Sequence, residues 1–162
     1  MNNRQQLSGL SRAIKKSIGC HRFGLPLVKE KGPTEFTIKV ANNLEEREAA
    51  FHLGYQVYLE KGFIKENEKK LLIQDYDSIN ETVILIVQDR QKNIAGTVTL
   101  VFDGYSKLPA EKIYGEELNI LRNQNEKIVE ISRLVIDPQY RNSNEILILL
   151  FNYLYIYSYF IQ

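Results

Sequence analysis

"TVILIVQDRQKNIAGTVTLVFD", residues 82–103, decides the fold. Two β-branched, apolar runs, 82–89 and 94–103, flank a short polar connection, Arg90–Asn93. A link of that length returns the chain antiparallel, because parallel strands need a crossover of a dozen or more residues. The sheet is therefore built around a hairpin, which predicts an α+β architecture and not a doubly wound parallel one. Upstream lie a polar connector with Asp75 and Asp77, a helix over 44–60 and a strand over 35–41. The helix carries Leu44, Ala50, Phe51, Tyr55 and Tyr58 roughly on one stripe; Asn42 or Asn43 can cap it, Glu45 and Glu46 suit its first turn, and Gly62 stops it. Downstream, Pro109 introduces a helix over 110–122, a strand follows over 127–136, and Asp137-Pro138 ends it. The order is β-α-β-β-α-β, closed by an apolar element over 144–161.

The bulk composition narrows little. A chain of 162 residues with 44% hydrophobic and 25% charged residues is ordinary for one globular domain, and a net charge of +1 selects no partner. Charge is uneven, however. Residues 1–33 hold Arg4, Arg12, Lys15, Lys16, Arg22, Lys29 and Lys31 against the single acid Glu30. Within this basic arm Leu7, Leu10, Ile14 and Ile18 recur at helical spacing, and Gly24, Pro26, Gly32 and Pro33 then mark a linker. The arm fits either an ordinary solvated face or an acidic partner. The lone Cys20 excludes an internal disulfide and fits a reducing, cytoplasmic setting; as a nucleophile it is unconvincing beside a passive thiol. No apolar signal segment follows Met1, no nucleic-acid motif is present, and His21 and His52 lack the companions of a metal site.

Within "VEISRLVIDPQYRNS" (129–143) the strand keeps two charges, Glu130 and Arg133. By period two they point to opposite faces. A β-bulge in this stretch would re-aim one of them, and bulges concentrate beside active sites. A buried unpaired charge costs roughly 3–5 kcal/mol, so both groups require partners or a wet cleft. A satisfied Glu–Arg pair with no chemistry is the plain alternative.

The run "EISRLVIDPQYRNS" after "IAGTVTLVFDGYSKLPAEKIYGEEL" resembles the N-acyl amino acid synthases and, more distantly, the acyl-homoserine-lactone (autoinducer) synthases, both within the GNAT acyltransferase superfamily. The resemblance extends from about Phe36 to Ile156, which leaves residues 1–33 as an arm and linker ahead of a domain over 34–162. Its most specific pieces are Glu130-x-Ser132-Arg133, the "GTVTLV" strand, the "LP…IY…EL" helix, and Arg47 followed by Phe51. Asp77 resembles the last acid of the autoinducer synthases' acidic cluster, and Asp75 matches it less closely. The resemblance implies a GNAT-like mixed, mostly antiparallel sheet flanked by helices. It also implies acyl transfer from a thioester to an amine, with Glu130 as the base and Arg133 beside it as the catalytic pair. Arg133 would reach Asp77, acids near Arg47, or the carboxylate of an amino-acid substrate. Arg47, Asp77, Ser132 and Arg141 are the expected substrate-binding residues; for Arg47 the alternative is an exposed helix arginine. No metal and no permanently bound cofactor are expected.

Acyl-CoA-dependent relatives carry R/Q-x-x-G-x-G/A after this strand, whereas Tyr140–Ile146 holds no glycine and presents Glu145 to a pyrophosphate. An acyl-phosphopantetheine thioester on acyl carrier protein is the expected co-substrate ahead of acyl-CoA, with the basic arm or Arg141 meeting the acidic carrier. The terminal stretch 146–161 has no charged side chain but falls short of the ~18–20 residues of a membrane span, and Asn152 interrupts it. Tyrosines at 153, 155, 157 and 159 alternate as in a strand, while the family pattern makes the stretch a helix. That pattern continues past the point where this chain stops, so the expectation is a domain truncated at its C-terminus. Three readings follow: an acyltransferase for an amino acid or related amine, an inactive GNAT-like binding module, or a tail-anchored protein. Association between copies through the apolar terminal helix is a further expectation.

Overall fold

The computed structural model describes residues 35–142 and 144–161. The elements are β1 (Thr37–Val40), α1 (Leu44–Glu60), β2 (Thr82–Gln88), β3 (Ile94–Phe102), α2 (Glu111–Asn123), β4 (Val129–Ile136) and α3 (Glu145–Ile161). The arm, its 4–18 stripe and Cys20 lie outside the described residues.

The β2–β3 hairpin forms as read, with Thr82 opposite Val101 and Val87 opposite Gly96. Its turn is held by Asp89, whose carboxylate accepts from the Asn93 backbone N–H at 2.8 Å and side-chain amide at 2.9 Å. β1 and β4 add antiparallel on either side, giving the sheet order β1-β2-β3-β4. Asn43 supplies the predicted cap, accepting the Glu46 N–H at 2.8 Å, and Gly62 leaves α1 at φ +71°, a conformation glycine adopts without penalty.

Helices cover both faces. On one, α3 sets Ile146, Leu150 and Leu154 against Ile38, Leu85, Val98 and Leu100. A Cβ at Gly96 would stand 2.7 Å from Ile146 Cγ2, so the bare glycine backbone is what lets α3 lie this close. On the other face, α1 packs Ala50 and Phe51 on Ile84 and Ile86, and Leu53 and Val57 on Val135; α2 packs Leu118 on Val101 and Leu108. The terminal stretch is helical throughout, so packing against the sheet overrides the alternating tyrosines. No helix among the described residues is long and apolar enough to cross a membrane. Two details depart from the periodicity. Leu44 is exposed and its expected place on the inner stripe is filled by Arg47, and α2 is kinked at Tyr114 (φ −117°, ψ 28°).

Candidate active site

β4 is bulged at Arg133 and Leu134, within the stretch that carries the two charges. Thr99 pairs with Ser132 and Thr97 with Val135, so Arg133 and Leu134 together face Val98 alone. Arg133 takes φ +47°, in the left-handed region. The additional residue turns Arg133 onto the α1 face, alongside Glu130 and Ser132, while Leu134 joins the core beneath α3.

Arg133 is enclosed by that face. It forms an ion pair with Asp77, donates to the Leu72 carbonyl at 2.7 Å and to Thr99 Oγ1 at 3.1 Å, and lies 5.3 Å and 5.4 Å from the Phe51 and Tyr76 ring centres. Asp77 is only 2% exposed; its second oxygen accepts the Gln74 N–H at 2.7 Å. Arg47, 3% exposed, reaches the same residue from α1 and donates to the Asp77 carbonyl at 3.1 Å. Burial pushes the Asp77 carboxyl upward, against the opposing pull of Arg133, the Gln74 amide and Arg47. Burial likewise pushes the Arg47 guanidinium down. Next along the face, the Tyr76 and Ser132 hydroxyls share a hydrogen bond of 2.9 Å, and burial raises the Tyr76 phenol, keeping it neutral and able to donate.

Glu130 turns the other way. Its Oε2 accepts the N–H of Ala110, the capping residue of α2, at 2.8 Å, where a carboxylate also meets the positive end of the helix dipole. Glu130 and Arg133 thus share a face without pairing: one end of the row is tied to α2, the other to Asp77, with Ser132 and Tyr76 between.

The N-acyl amino acid synthase FeeM family matches residues 49–162. The chain belongs to that family. Among solved structures it is similar to FeeM, an N-acyl amino acid synthase from uncultured soil microbes, at 19% identity and a TM-score of 0.64. That similarity covers 76% of this chain and 64% of the FeeM chain, and it carries the fold. A search of curated proteins finds no match.

In this member of the synthase family the predicted residues separate into two groups. Glu130, Ser132, Arg133, Asp77 and Arg47 meet on one face of the sheet. Arg141 stands past the opposite end of β4, exposed, with its Nε donating to the Ile136 carbonyl at 2.9 Å. Arg47 is not an exposed helix arginine; it is buried against the Asp77 backbone. The space beside Arg133, lined by Phe51, Thr97, Thr99 and Val135 among others, amounts to about 10 Å³, at most one water. A larger open depression of about 700 Å³, between α1 and residues 66–70, contains none of these residues. Tyr76, Thr99 and the Leu72 carbonyl were not foreseen. Tyr76 lies between Asp75 and Asp77, and a ring beside an expected ion-pair partner was the one available signal for it.

Proposed function

We propose that this protein transfers a fatty acyl group from a thioester to the amine of an amino acid or related compound. Family membership supports the reaction class. The bulge that gathers Glu130, Ser132 and Arg133 onto one face is the observation that carries the site. Glu130 takes one proton of the incoming ammonium and later returns it to water. The neutral amine attacks the thioester carbonyl, the N–C bond forms and the C–S bond breaks. The leaving sulfur departs as the thiol with the second proton that the attacking nitrogen sheds. Of the paired Tyr76 and Ser132 hydroxyls, one donates to the other, and the acceptor retains a hydrogen for the developing oxyanion. In this reading Arg133, Asp77 and Arg47 are positioning residues, since the Arg133–Asp77 pair is closed on protein groups and Arg47 is buried against the Asp77 carbonyl.

Acyl carrier protein is the proposed donor. The segment 140–146 lacks the glycines that let backbone amides approach a pyrophosphate, and Glu145 occupies the first turn of α3. A single phosphodiester is a smaller anionic load, and exposed Arg141 is a suitable contact for it. A carrier-protein donor and a reduced Cys20 both fit the cytoplasm. The saturation of Arg133 and Asp77 by protein groups favours a second reading, in which the cluster is a structural staple and the domain binds without turnover.

Purified protein assayed with acyl-acyl carrier protein, acyl-CoA and free amino acids separates the two. Faster transfer from the carrier protein is expected, and Glu130→Gln is expected to lower the rate well over tenfold, more than ~1.4 kcal/mol of barrier. The glutamine oxygen can still accept the Ala110 N–H, so the urea midpoint should hold. Undiminished transfer by Glu130→Gln removes the base role; preference for acyl-CoA removes the carrier-protein assignment.

A further inference from the structure

Tyr55 is only 4% exposed, yet its hydroxyl makes no hydrogen bond among the described residues and keeps a contact with solvent. Buried polar groups are paired in nearly every case, so such an exception asks what completes it. Tyr55 lines the open depression of about 700 Å³ between α1 and residues 66–70. That volume suits a small molecule.

His52 stands on the same wall, its ring 6.4 Å from that of Tyr55 and inclined to it by 21°. The His52 Nδ1 lies 2.9 Å from the Lys70 carbonyl. A carbonyl only accepts, so Nδ1 carries the proton, and in the neutral ring Nε2 keeps its lone pair. Lys70 presents that carbonyl from a left-handed backbone, φ +50°, braced by its own N–H on the Asn67 carbonyl at 3.1 Å. The wall thus carries an unpaired hydroxyl and an imidazole acceptor of fixed tautomer.

The rim decides the sign of the ligand. Exposed Glu66 and Glu68 set two carboxylates against the single ammonium of Lys70, with the Gln56 amide beside them. An anion would be repelled, and a hydrocarbon would leave Tyr55, His52 and Gln56 without partners. Among the described residues no His, Cys, Asp and Glu side chains cluster as metal ligands do, so the fitting positive charge is a molecule that brings its own N–H donors.

We propose that this depression binds a small organic cation, an alkylammonium or guanidinium, whose N–H groups donate to Tyr55 Oη, His52 Nε2 and the carboxylates of Glu66 and Glu68. Glu130, Ser132 and Arg133 do not line it, so the site stands or falls independently of acyl transfer.

Calorimetric titration of the full chain with 1,4-diaminobutane and with agmatine, at physiological salt, tests this. Saturable binding is expected, the tighter of the two showing which head group the site takes, and butyrate should give none. Tyr55→Phe keeps the ring, so the urea midpoint should hold while affinity falls roughly fivefold. Glu66→Gln/Glu68→Gln, at exposed positions, should lower affinity about tenfold or more, whereas Glu116→Gln/Glu117→Gln on α2 should leave it unchanged. Absence of saturable binding by both cations overturns the proposal. So does equal uptake of butyrate, an affinity indifferent to either site variant, or one that falls as far with the α2 pair.

Discussion

Arg133 occupies a left-handed conformation at φ +47°, which costs a residue with a side chain about 1–2 kcal/mol. The expenditure is offset by the contacts it makes: the Asp77 pair, the Leu72 carbonyl, Thr99 and two rings. Because Asp77 is fully enclosed, Asp77→Ala leaves a buried guanidinium without its counter-charge, and we expect a loss of roughly 3–5 kcal/mol in urea unfolding. Asp77→Leu combined with Arg133→Met should recover much of that loss, since neither charge then remains alone. A double variant as unstable as the sum of its singles contradicts the pairing. Glu130 gives a second contrast. Glu130→Ala removes the acceptor for Ala110 and should cost about 1 kcal/mol, as loss of a helix cap does, whereas Glu130→Gln should not.

At the scale of elements, α2 is anchored by Arg122. Its guanidinium donates to Asp103 at 2.7 and 2.8 Å and to Glu111 at 2.9 and 2.7 Å, clamping the end of α2 to its own first turn and to the loop after β3. The hydrogen bonds from Arg122 hold both carboxyls below the usual carboxylate range. The folded state therefore binds these two protons less tightly than the unfolded chain does. Their contribution is present above about pH 4.5 and is lost as the pH falls through the depressed folded values. We expect the urea midpoint to drop on acidification through that window, and Arg122→Ala to flatten the drop; an unchanged acid limb would exclude the clamp. These elements were largely legible in the sequence. The hairpin, the Asn43 cap, the stop at Gly62 and the Pro109 entry to α2 each depend on residues within one or two turns of the feature they create. The Arg122–Glu111 contact that spans the kink at Tyr114 was not legible, because it joins residues at opposite ends of the helix.

Over the whole molecule one sheet serves two unlike faces: β3 and β4 send Val98, Leu100 and Leu134 under α3 and hold Thr97, Thr99, Ser132 and Arg133 beneath α1. α3 is consequently part of the foundation of the candidate site. Leu150→Ala should cost about 2–5 kcal/mol in a single urea transition with unchanged slope. A biphasic transition, with the Arg133 face persisting after α3 has melted, would show that the two layers fold separately. The sequence alone determined the antiparallel hairpin and the element order, because each follows from local periodicity or a short connection; its motifs carried the family resemblance, and the cost of an isolated charge left either a bulge or a satisfied Glu130–Arg133 pair open. Only the tertiary structure decided where those charges go. Arg133 meets Asp77, Leu72 and Thr99, and Glu130 caps α2, through pairings between residues 20 to 61 positions apart. Such partners are fixed by strand register and by how helices settle on the sheet, and no local pattern encodes either.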